Sequence, residues 1–346
     1  MDSMQNPYRA SQLPHPTLES IPAPSVDSDR PARTATFCGE APPTPLIDAR
    51  AAAKAAGVAA LHIKDERPRM GLGSFKALGA AYVIACDHED GRAAGQTYVT
   101  ASAGNHGLSV AAGAAAFGAQ AVIYLSQTVP ESFAARLRDL GAQVVRAGET
   151  YEDSMAAAQQ AAQDEGAILL SDSSWPGYVD RPHRLMEGYT KLMAEVFEQI
   201  PQPPTHIFLQ AGVGGLAGAA AAMARKEWGD SPIIVVVEPD AAPALHDSIA
   251  ACAPVTTQGP VSIMGRLDCK EPSLIALKGL AHDADHFALI SEEEAQRGTD
   301  WAAGFDMGST PSGAAGVAAL IAAQPGQFGL GPTSRVLAIL SEAAAT

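Results

Sequence analysis

The chain is poor in cysteine: it has four, Cys38, Cys86, Cys252 and Cys269, widely spaced and without a CxxC pair. That spacing gives neither a disulfide framework nor a zinc knuckle, so reduced thiols and no metal site are expected. Aromatic residues make up only 5% of 346 positions. Positive charge is short as well, with 23 Lys and Arg against 38 Asp and Glu, a formal net charge of −15. Nucleic-acid backbones and anionic membranes both require a basic face, and neither is expected as a partner. No apolar run reaches about 18 residues without Gly, Pro or charge, and the N-terminus lacks a basic start followed by an apolar core. The expected location is the cytoplasm.

What is plentiful is small and aliphatic. Hydrophobic residues reach 47% and glycine numbers 32, a mixture suited to close helix-on-sheet packing with many tight turns. The length exceeds one average domain. Residues 1–40 are rich in Pro, Ser and Asp without a sustained period, and read as an extended arm wrapped over the surface or partly disordered. A helix from Ala51 to Ala56 and a strand from Ala59 to Lys64 follow.

Short β-rich runs then alternate with helical segments. Strands are expected over Thr97–Ala101, Ala121–Leu125, Gln143–Arg146 and Ala167–Ser171, with helices over Asn105–Phe117, Pro130–Leu140 and Tyr151–Glu165. After an amphipathic helix, His183–Gln199, the rhythm resumes: strand Thr205–Leu209, helix Gly215–Trp228, strand Pro232–Val237, several helices, and a last strand Arg335–Leu340. Repeated β-α-β units mean parallel sheets covered by helices. The expectation is an α/β protein with two lobes and two open, mostly parallel sheets. A small domain would span 91–182, and a larger one 41–90 together with 183–346.

Three turns and one lysine carry candidate chemistry. Lys76 ends the loop Lys64-Asp65-Glu66-Arg67-Pro68-Arg69-Met70-Gly71-Leu72-Gly73-Ser74-Phe75-Lys76. Ser74 reads as the cap of a helix that opens with Phe75 and Lys76, and the positive end of that helix would lower the lysine's pKa. A lysine neutral part of the time can be a nucleophile toward an aldehyde. The same loop's Lys64, Arg67 and Arg69 read as a local positive pocket for an anion.

The turn Ser102-Ala103-Gly104-Asn105-His106 leaves a helix N-terminus open to a carboxylate or phenolate oxygen. The turn Gly212-Val213-Gly214-Gly215-Leu216 can wrap a phosphate, though glycines needed only for a tight helix-sheet contact explain it equally. A dinucleotide also fits that turn taken alone, with Glu238 ending the next strand as a ribose ligand would. Ser341 places a hydroxyl after the last strand, at the edge where α/β sheets hold ligands. Together the pieces make an inventory for pyridoxal 5′-phosphate and an amino acid.

Ser-Phe-Lys at 74–76, Ser-Ala-Gly-Asn-His at 102–106, Gly-Val-Gly-Gly-Leu at 212–216 and the strand ending in Ser341 resemble the fold type II, tryptophan-synthase-β-like, pyridoxal-phosphate enzymes. Lys64-Asp65-Glu66, Asp172-Ser173-Ser174-Trp175-Pro176-Gly177-Tyr178, Met186-Glu187-Gly188-Tyr189, Val237-Glu238-Pro239-Asp240 and Cys269-Lys270-Glu271-Pro272 look most like the diaminopropionate ammonia-lyases within that family. The resemblance implies that Lys76, Phe75, Asn105, Gly212, Val213, Gly214, Gly215, Leu216 and Ser341 hold the cofactor. Ser102, Ala103, Gly104, Asn105 and His106 would receive the substrate, and the protein would be a homodimer.

The implied reaction is α,β-elimination on a small β-substituted amino acid, most readily L-2,3-diaminopropionate, with Lys76 as base and Asp172 as acid toward the leaving group. Where those lyases carry an Asp that serves the D-isomer, this chain has Ala103, which favours an L-substrate. Thr310-Pro311-Ser312-Gly313-Ala314 looks closer to the dehydratases, so serine or threonine dehydration stays open as the alternative. A β-replacement synthase and a non-catalytic cofactor-binding protein are further readings.

Overall fold

A computed structural model describes residues 1–34 and 41–344 of the chain. Among the described residues eleven strands form two sheets. They are β1 (Asp2–Gln5), β2 (Leu46–Asp48), β3 (Ala60–Asp65), β4 (Thr97–Ala101), β5 (Gln120–Leu125), β6 (Gln143–Arg146), β7 (Ile168–Leu169), β8 (His206–Gln210), β9 (Ile233–Pro239), β10 (His286–Ile290) and β11 (Arg335–Leu340). The larger sheet has the order β1-β10-β9-β8-β11-β3-β2 and the smaller β6-β5-β4-β7. Strands β10, β9, β8, β11 and β3 run parallel, and the antiparallel β1 and β2 close the two edges. The smaller sheet is parallel throughout.

Alternation along the buried strands sends successive side chains to opposite faces of the larger sheet. Ile207, Leu209, Ile234, Val236, Leu337 and Ile339 enter one core. Phe208, Val235, Val237, Val336, Ala338 and Leu340 enter the other. Helix Asp180–Gln199 buries Leu185, Met186, Tyr189, Leu192, Met193 and Val196 in the first of these, so one amphipathic stripe joins the helix to both the sheet and the lysine segment.

The N-terminal segment is more ordered than its composition indicates. Strand β1 adds to the sheet edge at β10, Leu13, Leu18 and Ile21 are buried, and the Asn6 amide donates to Ala281 O (2.8 Å) and Ala284 O (2.6 Å), capping helix Leu274–Asp283. Wrapping is what the sequence indicated; partial disorder is not what residues 1–34 show. The end of the expected arm, with Cys38, lies outside the described residues. Cys86, Cys252 and Cys269 are free thiols, and no helix among the described residues is long and apolar enough to cross a membrane.

The basic loop after β3 is not an open anion pocket. Lys64 and Arg69 are fully buried, each 2.7 Å from Glu195 Oε2 on helix Asp180–Gln199, and Arg69 also meets Glu66 at 2.7 Å. Burial opposes the charge of Glu195, but Arg69 and Lys64 together outweigh it and hold its carboxyl at about 2. Arg67 pairs with Asp65 at 2.7 Å. The charges are spent on fixing the loop that delivers Lys76.

Candidate active site

Five strands lead into one cleft, each from its carboxyl end. The chain leaves β3 for Lys76, β4 for the turn at Ser102–His106, β7 for Asp172, β8 for the glycine turn and β11 for Ser341. The carboxyl edge is where a parallel sheet leaves a crevice for ligands.

Lys76 lies in a short 3-10 turn, Phe75–Leu78, and the α-helix begins only at Ala80. Ser74 is extended and caps nothing with its side chain. The expected helix-dipole effect on Lys76 therefore fails, because a single 3-10 turn has too few aligned peptides. Lys76 Nζ instead forms an ion pair with Asp172 Oδ2. Burial disfavours both charges, yet the mutual attraction exceeds it: the ammonium is held above the ordinary lysine value and the carboxylate well below the ordinary range.

Asp172 is set by its own turn. Tyr178 OH donates to Leu169 O (2.9 Å) and accepts from Ser171 N (3.0 Å), while the Tyr178 ring stacks on Trp175 with centroids 4.4 Å apart. Ser174 Oγ lies 2.7 Å from Ser273 Oγ, and Ser273 N donates to Val213 O at 3.0 Å. The Asp172 turn and the glycine turn are thereby tied together through one serine pair.

In the glycine turn Gly214 has φ +95°, and a Cβ there would stand 2.9 Å from Ala276 Cβ. A Cβ on Gly212 would stand 2.9 Å from Cys269 Sγ and 3.1 Å from Leu267 Cα. Both the tight-packing and the ligand reasons for glycine thus apply. Gly214 caps helix Gly215–Trp228 without a side-chain bond, and among the described residues nothing accepts from the N–H groups of Gly215, Leu216 or Ala217. An uncapped helix start of this kind favours an anion.

Glu238 does not await a ribose. Its carboxylate accepts from Leu245 N and His246 N, both at 2.7 Å, and burial pushes its pKa up to about 8. The dinucleotide alternative loses its acidic ligand.

Asn105 opens helix Asn105–Ala116, and Ser102 Oγ accepts from Gly104 N (3.2 Å) and Gly107 N (3.1 Å), closing the turn. The backbone N–H groups of Ala103, Asn105 and His106 carry no partner among the described residues. His106 Nε2 meets Leu170 O at 2.8 Å, so that nitrogen bears the proton and Nδ1 is left buried and unpartnered. Burial lowers its pKa. Ser341 is 5% exposed at the end of β11, its backbone held by Gly313 O and Phe75 N.

The sequence reading missed several residues here. Glu342 binds Asn105 Nδ2 and Thr310 Oγ1, Arg266 Nη1 donates to Ala103 O at 2.8 Å, and Tyr189 packs edge-on against Phe75 at 5.0 Å with a buried, unpartnered hydroxyl. Tyr189 sits on a regular helical stripe and reads as core. Arg266 lies in an irregular stretch with no periodic signal.

Residues 39–342 match a family model described as pyridoxal-phosphate dependent enzyme. Diaminopropionate ammonia-lyase of Salmonella typhimurium is 34% identical over 261 residues, which cover 67% of this chain and 65% of that protein, a little under two thirds of its length. L-threonine ammonia-lyase of Geobacter sulfurreducens is 29% identical over 222 residues, covering 64% and 52%. A crystal structure of diaminopropionate ammonia-lyase from Escherichia coli, in complex with an aminoacrylate-PLP azomethine reaction intermediate, superposes with a TM-score of 0.85 at 28% identity, covering 99% of this chain and 93% of that one.

Proposed function

We propose that this chain, which belongs to the pyridoxal-phosphate-dependent enzymes, catalyses α,β-elimination of ammonia from L-2,3-diaminopropionate. The observation that carries the reading is the pairing of Lys76 with Asp172 across the cleft, in a chain similar to the diaminopropionate ammonia-lyases.

The residues present fit the cofactor. The uncapped start of helix Gly215–Trp228 suits its phosphate, with Gly212, Val213, Gly214, Gly215 and Leu216 supplying the cradle. Ser341 brings a neutral hydroxyl for the ring nitrogen, Asn105 an amide for the ring oxygen, Phe75 an apolar wall and Lys76 the amine for the aldehyde. When bound, pyridoxal phosphate supplies an electron sink for negative charge developing at the substrate Cα.

The protein's own groups move the protons. The N–H groups of Ala103, Asn105 and His106, in the turn built by Ser102 and Gly104, take the substrate carboxylate. Lys76 Nζ removes the Cα proton and becomes an ammonium, which Asp172 stabilises as its counter-charge. A carboxylate held so far down is a poor acid by itself. We therefore assign Asp172 the task of guiding that proton from Lys76 to the departing β-nitrogen, in place of donating one of its own. Loss of ammonia and hydrolysis of the resulting dehydroamino acid give pyruvate and a second ammonia.

Ala103 stands where the lyases this chain resembles carry an Asp that serves the D-isomer, and an alanine can act as no base, which supports an L-substrate. Dehydration of 3-hydroxy amino acids is the second reading, favoured by the stretch Thr310-Pro311-Ser312-Gly313-Ala314, which looks closer to the dehydratases. We further place the enzyme in the cytoplasm as a homodimer, with the small domain at 91–182 and the large one at 41–90 and 183–346; the two separate sheets support the division, and the three free thiols suit a reducing compartment.

The test is stoichiometry. Purified, cofactor-loaded protein is incubated with L-2,3-diaminopropionate, L-serine or L-threonine, and ammonia and 2-oxo acid are both measured. Two ammonia per 2-oxo acid from diaminopropionate supports the lyase. Turnover confined to serine or threonine, at one ammonia each, replaces it with the dehydratase.

A further inference from the structure

Glu342 follows Ser341 immediately but has no role in the reaction as described. Its side chain is 7% exposed. Two hydrogen bonds hold it on the larger-sheet side, Ser309 Oγ donating to its carbonyl at 2.5 Å and Thr310 Oγ1 donating to Oε1, and Gly313 leaves room that a Cβ would remove, at 2.9 Å from Glu342 Cγ. Its remaining oxygen, Oε2, reaches across the cleft and accepts from Asn105 Nδ2. Arg266 Nε stands 3.8 Å from the same oxygen, while Arg266 Nη1 donates to Ala103 O at 2.8 Å and its backbone N to Ser312 Oγ at 3.1 Å.

An ionised carboxylate only accepts hydrogen bonds, so it selects one of the two orientations of the Asn105 amide. One N–H is committed to Glu342, and Oδ1 and the second N–H are left in a fixed direction. Such bonds to a charged acceptor are among the stronger ones in proteins. The two oxygens serve different sides: one is anchored in the Thr310 loop and the other grips the turn that receives the substrate. Arg266 adds a second strut to the same turn, two residues away.

We infer that Glu342 is a positioning residue which, through Asn105 and alongside the Arg266 strut to Ala103, fixes the Ser102–His106 turn against the larger sheet and orients the Asn105 amide toward cofactor and substrate. The inference rests on the elimination reading for what the turn receives, but its geometry is independent of the leaving group. A Gln at 342 can accept from Asn105 through its oxygen and donate to Thr310, whose hydroxyl turns to accept. An Ala can do neither.

The test compares Glu342→Ala, Glu342→Gln and the unaltered full-length holoenzyme by amide hydrogen exchange, with the visible spectrum and steady-state kinetics alongside. Glu342→Ala should speed exchange at Gly104 and Gly107, whose N–H groups Ser102 Oγ holds, at least about tenfold and shift the resting absorbance maximum. Its KM should rise about tenfold, with a smaller fall in kcat. Glu342→Gln should stay within about threefold of the parent in exchange and KM. Unchanged exchange at Gly104 and Gly107 in a folded Glu342→Ala protein overturns the inference, and so does a Gln variant as impaired as the Ala variant. Failure of the elimination reading looks different: the exchange contrast persists while no 2-oxo acid forms.

Discussion

Lys76 Nζ and Asp172 Oδ2 form an ion pair between a 3-10 turn on the larger-sheet side and the loop that leaves the smaller sheet at β7. Each partner offsets the burial of the other, so the pair is a proton-holding unit in which neither residue has an ordinary pKa. Replacing Asp172 by Asn keeps the shape and removes the counter-charge. The expected loss is about 10²–10⁴-fold in kcat, typical of removing a positioned proton-transfer partner, with KM within about threefold. Initial rates of 2-oxo-acid release measure it, and a kcat within threefold of the parent would remove Asp172 from the proton path.

The glycine turn should tolerate no side chain where packing is closest. Gly214→Ala must adopt φ +95° and meet Ala276 and Leu245, while Gly212→Ala meets the backbone at Leu267 Cα. Forced left-handed backbone costs roughly 1–2 kcal/mol, and the turn can relieve the contacts only by moving the N–H groups assigned to the phosphate. Apparent cofactor affinity should fall at least about tenfold in each, read by titrating stripped protein and following absorbance. Gly118→Ala is the control: its φ is +66° but no atom lies within 4 Å, so affinity should stay unchanged.

The buried cluster of Lys64, Arg69, Glu66 and Glu195 should act on stability. Glu195→Gln leaves two buried cations short of charge, which costs about 3–5 kcal/mol where a buried pair is broken. The carboxyl of Glu195 is at about 2 in the fold against an ordinary 4.5. Its contribution is therefore complete above about 4.5 and is lost as pH falls toward 2. Urea unfolding should show a lower midpoint for the variant at neutral pH and a flatter acid limb.

Glu238 works in the opposite sense. Burial raises its carboxyl from 4.5 to about 8, so the stability it provides is full below 4.5 and is lost as pH rises through about 8. His62, His206 and His286 are lowered from 6.5, chiefly by burial, and matter below that value. Between pH 6.5 and 8 the unfolding free energy should thus decline, by at most about 1.4 kcal/mol per pH unit. Glu238→Gln should remove most of that slope.

Much of this architecture was legible because its signals are local. Strands at Thr97–Ala101, Gln143–Arg146 and Arg335–Leu340 and helices at Tyr151–Glu165 and Gly215–Trp228 fall where periodicity and turn residues place them. Strand β1 was hidden, since four polar-leaning residues become a strand only by pairing with β10. The Lys76 turn was misread for a related reason: Ser-Phe-Lys has the local form of a capped helix, and the departure to a 3-10 turn comes from its tertiary setting, with Phe75 N bonded to Ser341 O and Lys76 paired with Asp172. The segments holding Lys76, Asn105, Gly214 and Ser341 are each marked by their own local motif. The contacts from Glu342 to Asn105 and from Arg266 to Ala103 join positions 237 and 163 residues apart, and no spacing rule reaches that far.

The central claim is that Lys76 removes the Cα proton, with Ala103, which can act as no base, standing where the lyases this chain resembles carry an Asp that serves the D-isomer. The most direct measurement is the rate of pyruvate formation from L- and from D-2,3-diaminopropionate by the parent holoenzyme, with Lys76→Ala as the reference. The account predicts rapid pyruvate from the L-isomer, none above background from the D-isomer, and none from either in Lys76→Ala. Comparable turnover of the D-isomer by the parent enzyme, or L-isomer turnover that survives Lys76→Ala, would contradict it.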